Sequence, residues 1–143
     1  IFFGEAKSIK IDSFSSLIKN EKYTLINLQY GETENELSQI KKNYGKEVYT
    51  LKNIDLYNDF ESISSILKNL DLFITVSNST AHLAGALNVK TLLIKPKANA
   101  VFHYWNQPNN KTPWYPSINM IEQTENINDT MEEINIMLEK IIF

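Results

Sequence analysis

Ser77, Asn78, Ser79 and Thr80 are four small polar residues in succession, and His82 follows two positions later. Hydroxyl, amide and imidazole groups at this spacing suit the binding of an oxyanion. Before them, residues 71–76 form an apolar run with the pattern of a buried strand. After them, residues 81–87 are small or apolar and are expected to form a short helix. A helix start offers unpaired backbone N–H groups and the positive end of the helix dipole, and small side chains leave room for a phosphate. The same residues are also ordinary helix caps. From the residues alone both readings stand. His82, in the first helical turn, can point toward an anion. A lone histidine is also commonly a structural hydrogen-bonding residue, and the dipole opposes its protonation unless an anion is bound.

Other chemistries lack their residues. There is no cysteine, which excludes disulfides, thiolate metal sites and a cysteine nucleophile. Two histidines and no clustered carboxylates argue against a metal site. Ser79 and His82 share one helix end and no G-x-S-x-G elbow is present, which argues against a catalytic triad. Neither G-x-G-x-x-G nor a Walker loop occurs. The net charge of −3, with interspersed signs, gives no general attraction to nucleic acid or an anionic membrane. All 14 basic residues are lysine, so a phosphate must be held by Lys, backbone N–H, hydroxyl, amide or His groups without a bidentate guanidinium. No apolar run approaches a membrane span and no signal peptide is visible, so the expectation is a cytoplasmic protein without a membrane span.

The elements that must position these residues alternate in type. A chain of 143 residues fits a single domain, 1–143. Residues 8–11 are expected to be extended, with Asp12 or Ser13 capping a turn that carries Phe14, Leu17 and Ile18. Residues 23–28 form a strand ending in Gln29-Tyr30-Gly31. Residues 33–44 form an amphipathic helix with Thr33 and Glu36 as a capping box, ended by Gly45. A second strand over 47–51 leads into a polar loop, 52–58, containing Asp55. The next helix, capped by Asn58 or Asp59, turns Ile63, Ile66, Leu67 and Leu70 inward. After the 71–87 strand and helix come a strand at 90–94 stopped by Pro96, another at 118–121, and a last helix capped by Asp129 and Glu132 that buries Ile134, Leu138 and Ile141. Such alternation implies an α/β domain with a mostly parallel sheet. Ligands bind outside the carboxyl ends of such strands, where Gln29–Gly31, 52–58, Ser77–Thr80 and the segment from Lys95 belong. No internal repeat or low-complexity segment is present.

Residues 95–117 make a connection longer than a compact domain usually needs. It holds Phe102, His103, Tyr104, Trp105, Trp114 and Tyr115. These aromatics suit covering a sugar or base, and equally suit anchoring the loop, with Trp105 and Trp114 as the anchors.

Residues 76–88, VSNSTAHLAGALN, closely resemble the donor-binding motif of bacterial family 9 glycosyltransferases, the heptosyltransferase-like group, and above all those attached to tetratricopeptide repeats. Leu28-Gln29-Tyr30-Gly31, Asp59-Phe60-Glu61-Ser62 and Thr112-Pro113-Trp114-Tyr115-Pro116-Ser117 follow in family order and spacing. Ser8-Ile9 resembles the lead-in to the family's C-terminal domain. The resemblance covers nearly the whole chain. It implies a GT-B glycosyltransferase, of which this chain is the C-terminal, Rossmann-like three-layer domain that binds a nucleotide sugar. The N-terminal GT-B half or tetratricopeptide repeats would be its partners. By position, Ser77, Asn78, Ser79 and His82 would contact the donor diphosphate, with N–H groups around Thr80. Gln29 would lie near the nucleotide or diphosphate, and the 52–62 segment, with Glu61 and Ser62, near base and ribose. Where heptosyltransferases usually have Asp-Thr, this chain has Ser77-Asn78, which removes a carboxylate and departs from a heptose donor. The similar turn of protein O-GlcNAc transferases suggests UDP-N-acetylglucosamine as one donor.

The implied mechanism is metal-independent displacement at the anomeric carbon, with no cofactor. The helix dipole, N–H groups and hydroxyls would stabilise the leaving diphosphate, and the acceptor's base would come from elsewhere. On this reading the isolated chain is inactive. The alternative is a stand-alone or degenerate nucleotide-binding module without transferase activity.

Overall fold

A computed structural model describes residues 9–96 and 102–142, without the side chains of 141 and 142. The protein is α/β, with every strand pairing within its two sheets parallel, and is compatible with a Rossmann-like three-layer fold. The chain forms two compact units, residues 10–63 and residues from 64 onward.

In the first unit, a 3-10 turn (Ile11–Phe14) runs into α1 (Ser15–Lys19), which buries Leu17 and Ile18. The extended conformation expected over residues 8–11 therefore fails at Ile11, and Ser8 lies outside the described residues. Among the described residues, strands β1 (Ile26–Asn27) and β2 (Tyr49–Thr50) pair only with each other, and both are shorter than the β-branched and aromatic runs around them suggest. A two-stranded ladder has one partner per strand and little burial to extend it, and Tyr49 remains 55% exposed.

Helix α2 (Glu34–Tyr44) lies between them and ends at Gly45, in the left-handed conformation (φ 65°) that the residue was expected to supply. The Thr33–Glu36 capping box does not form. Thr33 makes no side-chain cap bond, and its hydroxyl instead accepts from Asn27 Nδ2 at 3.0 Å. Helix α3 (Phe60–Lys68) starts at an Asp59 cap, whose Oδ1 accepts the Ser62 N–H at 3.0 Å, and it buries Ile63 and Leu67.

In the second unit, β3 (Phe73–Val76), β4 (Thr91–Lys95) and β5 (Ile118–Glu122) form a sheet in the order β3-β4-β5. All five residues of the central strand are buried, as a strand covered on both faces requires. Residues alternate between faces. One face of this sheet carries Leu93, Ile118 and Met120, packed with Ala81 and Trp105. Helix α4 (Ser79–Ala86) packs on β3 and β4, and α5 (Ile127–Ile142) packs on β5.

Helix α5 begins two residues before the expected Asp129 cap. Asn126 Oδ1 accepts the Asn128 N–H at 3.1 Å, and its Nδ2 donates to Asp129 Oδ1 at 3.0 Å. Thr130, fully buried, accepts the Thr124 N–H at 2.9 Å and fixes the entry of the chain into this helix. Ile134 and Leu138 are buried as expected; the Ile141 side chain lies outside those described.

Gly85, in α4, has no room for a side chain. A Cβ there would stand 2.6 Å from Tyr115 Cδ1 and 2.9 Å from Tyr115 Cβ. Helix propensity alone would have alanine stabilise α4 by about 1 kcal/mol. Overpacking reverses the sign, so Gly85→Ala is expected to destabilise the protein by about 1–3 kcal/mol, read as a lower urea midpoint with a weakened near-ultraviolet aromatic signal.

Candidate functional site

Asn78 is the N-cap of α4, in extended conformation (φ −151°, ψ 179°). Its Oδ1 accepts the Ala81 N–H at 2.9 Å and its Nδ2 donates to Thr75 Oγ1 at 3.1 Å. The Thr75 hydroxyl in turn donates to the Val76 carbonyl at 3.1 Å. Both ends of the amide are thus used to hold the turn. Ser79 and Thr80, expected in the turn, are the first two residues of the helix. Intrahelical bonding leaves N–H groups at such positions without carbonyl partners. Ser77 is 7% exposed, Thr80 is half-buried, and Ser79 is open to solvent.

His82 sits one turn in, half-buried, inside a layer of rings contributed by the loop after β4. Its centroid lies 4.7 Å from Tyr104, edge-on, and 4.7 Å from Trp105 at an interplanar angle of 30°. It lies 5.6 Å from Tyr115, edge-on, and His82 Nδ1 is 3.1 Å from the Tyr115 hydroxyl. Burial pushes the imidazole below its usual pKa, and the nearby helix start acts in the same direction. The ring is therefore neutral near pH 7.

The loop's two tryptophans behave differently. Trp105 is wholly buried in the sheet-facing core and its Nε1–H has no hydrogen-bond partner among the described residues. Trp114 is 53% exposed and is no anchor.

Sequence reasoning missed Lys95. Its residue type and place at the carboxyl end of a strand are visible in the sequence, but its burial is not. One step beyond the Val76–Ile94 pairing stand Ser77, just after β3, and Lys95, the last residue of β4. Lys95 has a side chain only 7% exposed, and its Nζ lies 3.1 Å from Oε2 of Glu122, its register partner on β5. A buried ammonium paired with a largely exposed carboxylate thus stands at the same end of the sheet as the α4 N-terminus.

Gln29, Glu61 and Ser62 belong to the first unit. Gln29 follows β1, its N–H bonded to Asn27 Oδ1 at 2.9 Å and its Nε2 donating to the Tyr30 carbonyl at 3.1 Å. Glu61 is exposed in the first turn of α3. The Ser62 hydroxyl and N–H both serve the Asp59 cap and hold that carboxyl below its usual range. The loop between β2 and α3 is pre-ordered by Asp55, which accepts from Asn58 Nδ2 and from the N–H groups of Tyr57 and Asn58. It presents Tyr57 edge-on to Tyr30, with centroids 5.3 Å apart. Since β1 and β2 are parallel, Gln29 and this loop both lie beyond carboxyl ends of strands.

Among the described residues, no three His, Asp or Glu side chains come together to hold a metal ion, and no helix is long and apolar enough to cross a membrane. The groups at the start of α4 can donate hydrogen bonds to an oxyanion and oppose its charge with the helix dipole.

The lowered His82 pKa has a measurable consequence. The unfolded chain binds the proton more tightly, so the stability tied to the neutral ring is complete above an unfolded pKa of about 6.5 and is lost as pH falls through the lower folded value. His82→Gln is expected to flatten the decline of the urea midpoint between about pH 7 and pH 5 relative to the unsubstituted protein.

No family model matches the chain, and no solved structure matches it. Among curated proteins, Protein FlbA of Caulobacter vibrioides is 32% identical over 94 residues, which is 65% of this chain. The matching stretch spans 15% of the length of FlbA.

Proposed function

We propose that the chain is the donor-binding domain of a metal-independent GT-B glycosyltransferase of the heptosyltransferase-like family 9, the kind associated with tetratricopeptide repeats. Its ligand is a nucleotide-diphosphate sugar. The observation that carries the reading is the gathering, at one end of the β3-β4-β5 sheet, of the α4 N-terminus, the buried Ser77, a neutral His82 and the buried Lys95. The close likeness of residues 76–88 to the family's donor motif supports it. A match confined to 15% of FlbA is also what a domain of a larger protein would give.

In this reading Ser79 and Thr80 offer N–H groups and hydroxyls to the diphosphate, and His82 adds a neutral donor. Asn78 builds the turn, because its amide is engaged at both ends. As the bond to the anomeric carbon breaks, negative charge grows on the departing diphosphate. Preorganised N–H donors stabilise that charge more than they stabilise the bound donor, which lowers the barrier. Lys95 supplies the cation that the missing arginines cannot, with Glu122 as its partner in the free protein.

Asn78→Asp separates the cap from the charge. Aspartate keeps the cap on the Ala81 N–H but gives up the Nδ2–Thr75 bond, so stability is expected to fall by only about 0.5–1.5 kcal/mol. A carboxylate at the anion site is expected to weaken UDP, ADP or GDP binding about tenfold or more, with the matching nucleosides unaffected. Calorimetric titration of both proteins reads this. Binding of no nucleotide by the unsubstituted chain, or equal affinity in the two, would overturn the assignment.

A further inference from the structure

Tyr115 lies outside the α4 turn, yet it makes the closest polar contact to the one titratable side chain of that helix. Its hydroxyl stands 3.1 Å from His82 Nδ1. A neutral imidazole carries one N–H, and its bare nitrogen is a better acceptor than a phenol oxygen, while a phenol is a good donor. The favoured arrangement therefore has Tyr115 O–H donating to a bare Nδ1, with the ring proton on Nε2.

Three further contacts make this pairing rigid. Tyr104 meets the imidazole edge-on, Trp105 lies against it at 30°, and Tyr115 itself is edge-on to it. The missing Cβ at Gly85 is what admits the Tyr115 ring, since any side chain there would occupy its space. The titratable groups packed on the imidazole, among the described residues, are the Tyr104 and Tyr115 phenols.

We infer that Tyr115 is a positioning residue of the α4 site, which fixes His82 as the Nε2–H tautomer and so dedicates that N–H to the phosphate oxygens of the ligand. The inference rests on the proposed diphosphate site. It adds that the loop after β4 sets the state of the imidazole. A histidine free to change tautomer would present a bare nitrogen to the anion part of the time, where lone pairs repel. Fixing the proton on Nε2 removes that state.

The experiment uses Tyr115→Phe, which keeps the ring beside Gly85 and removes only the hydroxyl. In protein with 15N-labelled histidine, two-bond and three-bond couplings at pH 7.5 report the His82 tautomer without any ligand. The unsubstituted protein is expected to show the Nε2–H pattern and Tyr115→Phe a mixture of both tautomers. Inorganic pyrophosphate and UDP are then titrated by calorimetry. Tyr115→Phe is expected to lower both affinities about three- to tenfold, roughly the worth of one hydrogen bond. Added to His82→Gln, it is expected to cost nothing further, because it acts through the imidazole.

A tautomer unchanged in Tyr115→Phe, or an equal loss in the His82→Gln background, overturns this inference and leaves the diphosphate site standing. Failure of the unsubstituted protein to bind either pyrophosphate or UDP overturns the site and the inference with it.

Discussion

The second unit depends on how closely aromatic rings can approach helix α4. Ala81, Ala84 and Gly85 leave that helix almost bare where it is buried. Ala81 fits against Leu93, Ile118 and Met120 of the sheet, with Trp105 completing the cluster, while Gly85 accepts the Tyr115 ring at a distance no other residue allows. The helix, the sheet and the loop after β4 are thereby packed into one layer. His82, on the same helix, is enclosed as a by-product of that packing, and its neutrality follows from the enclosure.

The proposed anion site, in a chain without arginine, must arrange positive charge differently from most anion-binding proteins. Lysine gives a point charge on a flexible stem, with no fixed fork of donors. Here the flexibility is removed by burial: Lys95 ends a strand whose every residue is buried, and Glu122 holds its ammonium from the adjacent strand. The remaining work falls to neutral groups, namely backbone N–H, hydroxyls and an imidazole. These give direction rather than charge, and their geometry is set by the Asn78 cap and the Thr75 hydroxyl behind it.

Much of this was visible in the residues. The Gly45 terminus and the inward Ile63 and Leu67 follow from local pattern and were met in the structure, as were the strand expected over 71–76 and the helix expected over 81–87, the strand starting two residues later and the helix two residues earlier than expected. What failed was decided by partners outside the local pattern. Thr33 has the chemistry of a cap, but Asn27 claims its hydroxyl. The β1 and β2 runs have strand composition, but among the described residues they have no third strand to pair with. Trp105 and Trp114 share a loop and a residue type, yet one is wholly buried and the other half-exposed. The small residues of α4 signalled close packing, but nothing local named Tyr115 as what Gly85 receives. The burial of Lys95 is likewise a property of the assembled sheet.

The long connection between β4 and β5 can be weighed as polymer physics. Phe73 pairs with Thr91, 18 residues later, and Thr91 with Ile118, 27 residues later. Loop-closure entropy grows only logarithmically, so the longer return costs about 0.4 kcal/mol more than the shorter. Truncating a buried tryptophan typically costs about 3–5 kcal/mol. Burial of the Trp105 indole therefore outweighs the closure term alone many times over. What the longer return contributes is a second wall for α4 made of rings instead of another helix.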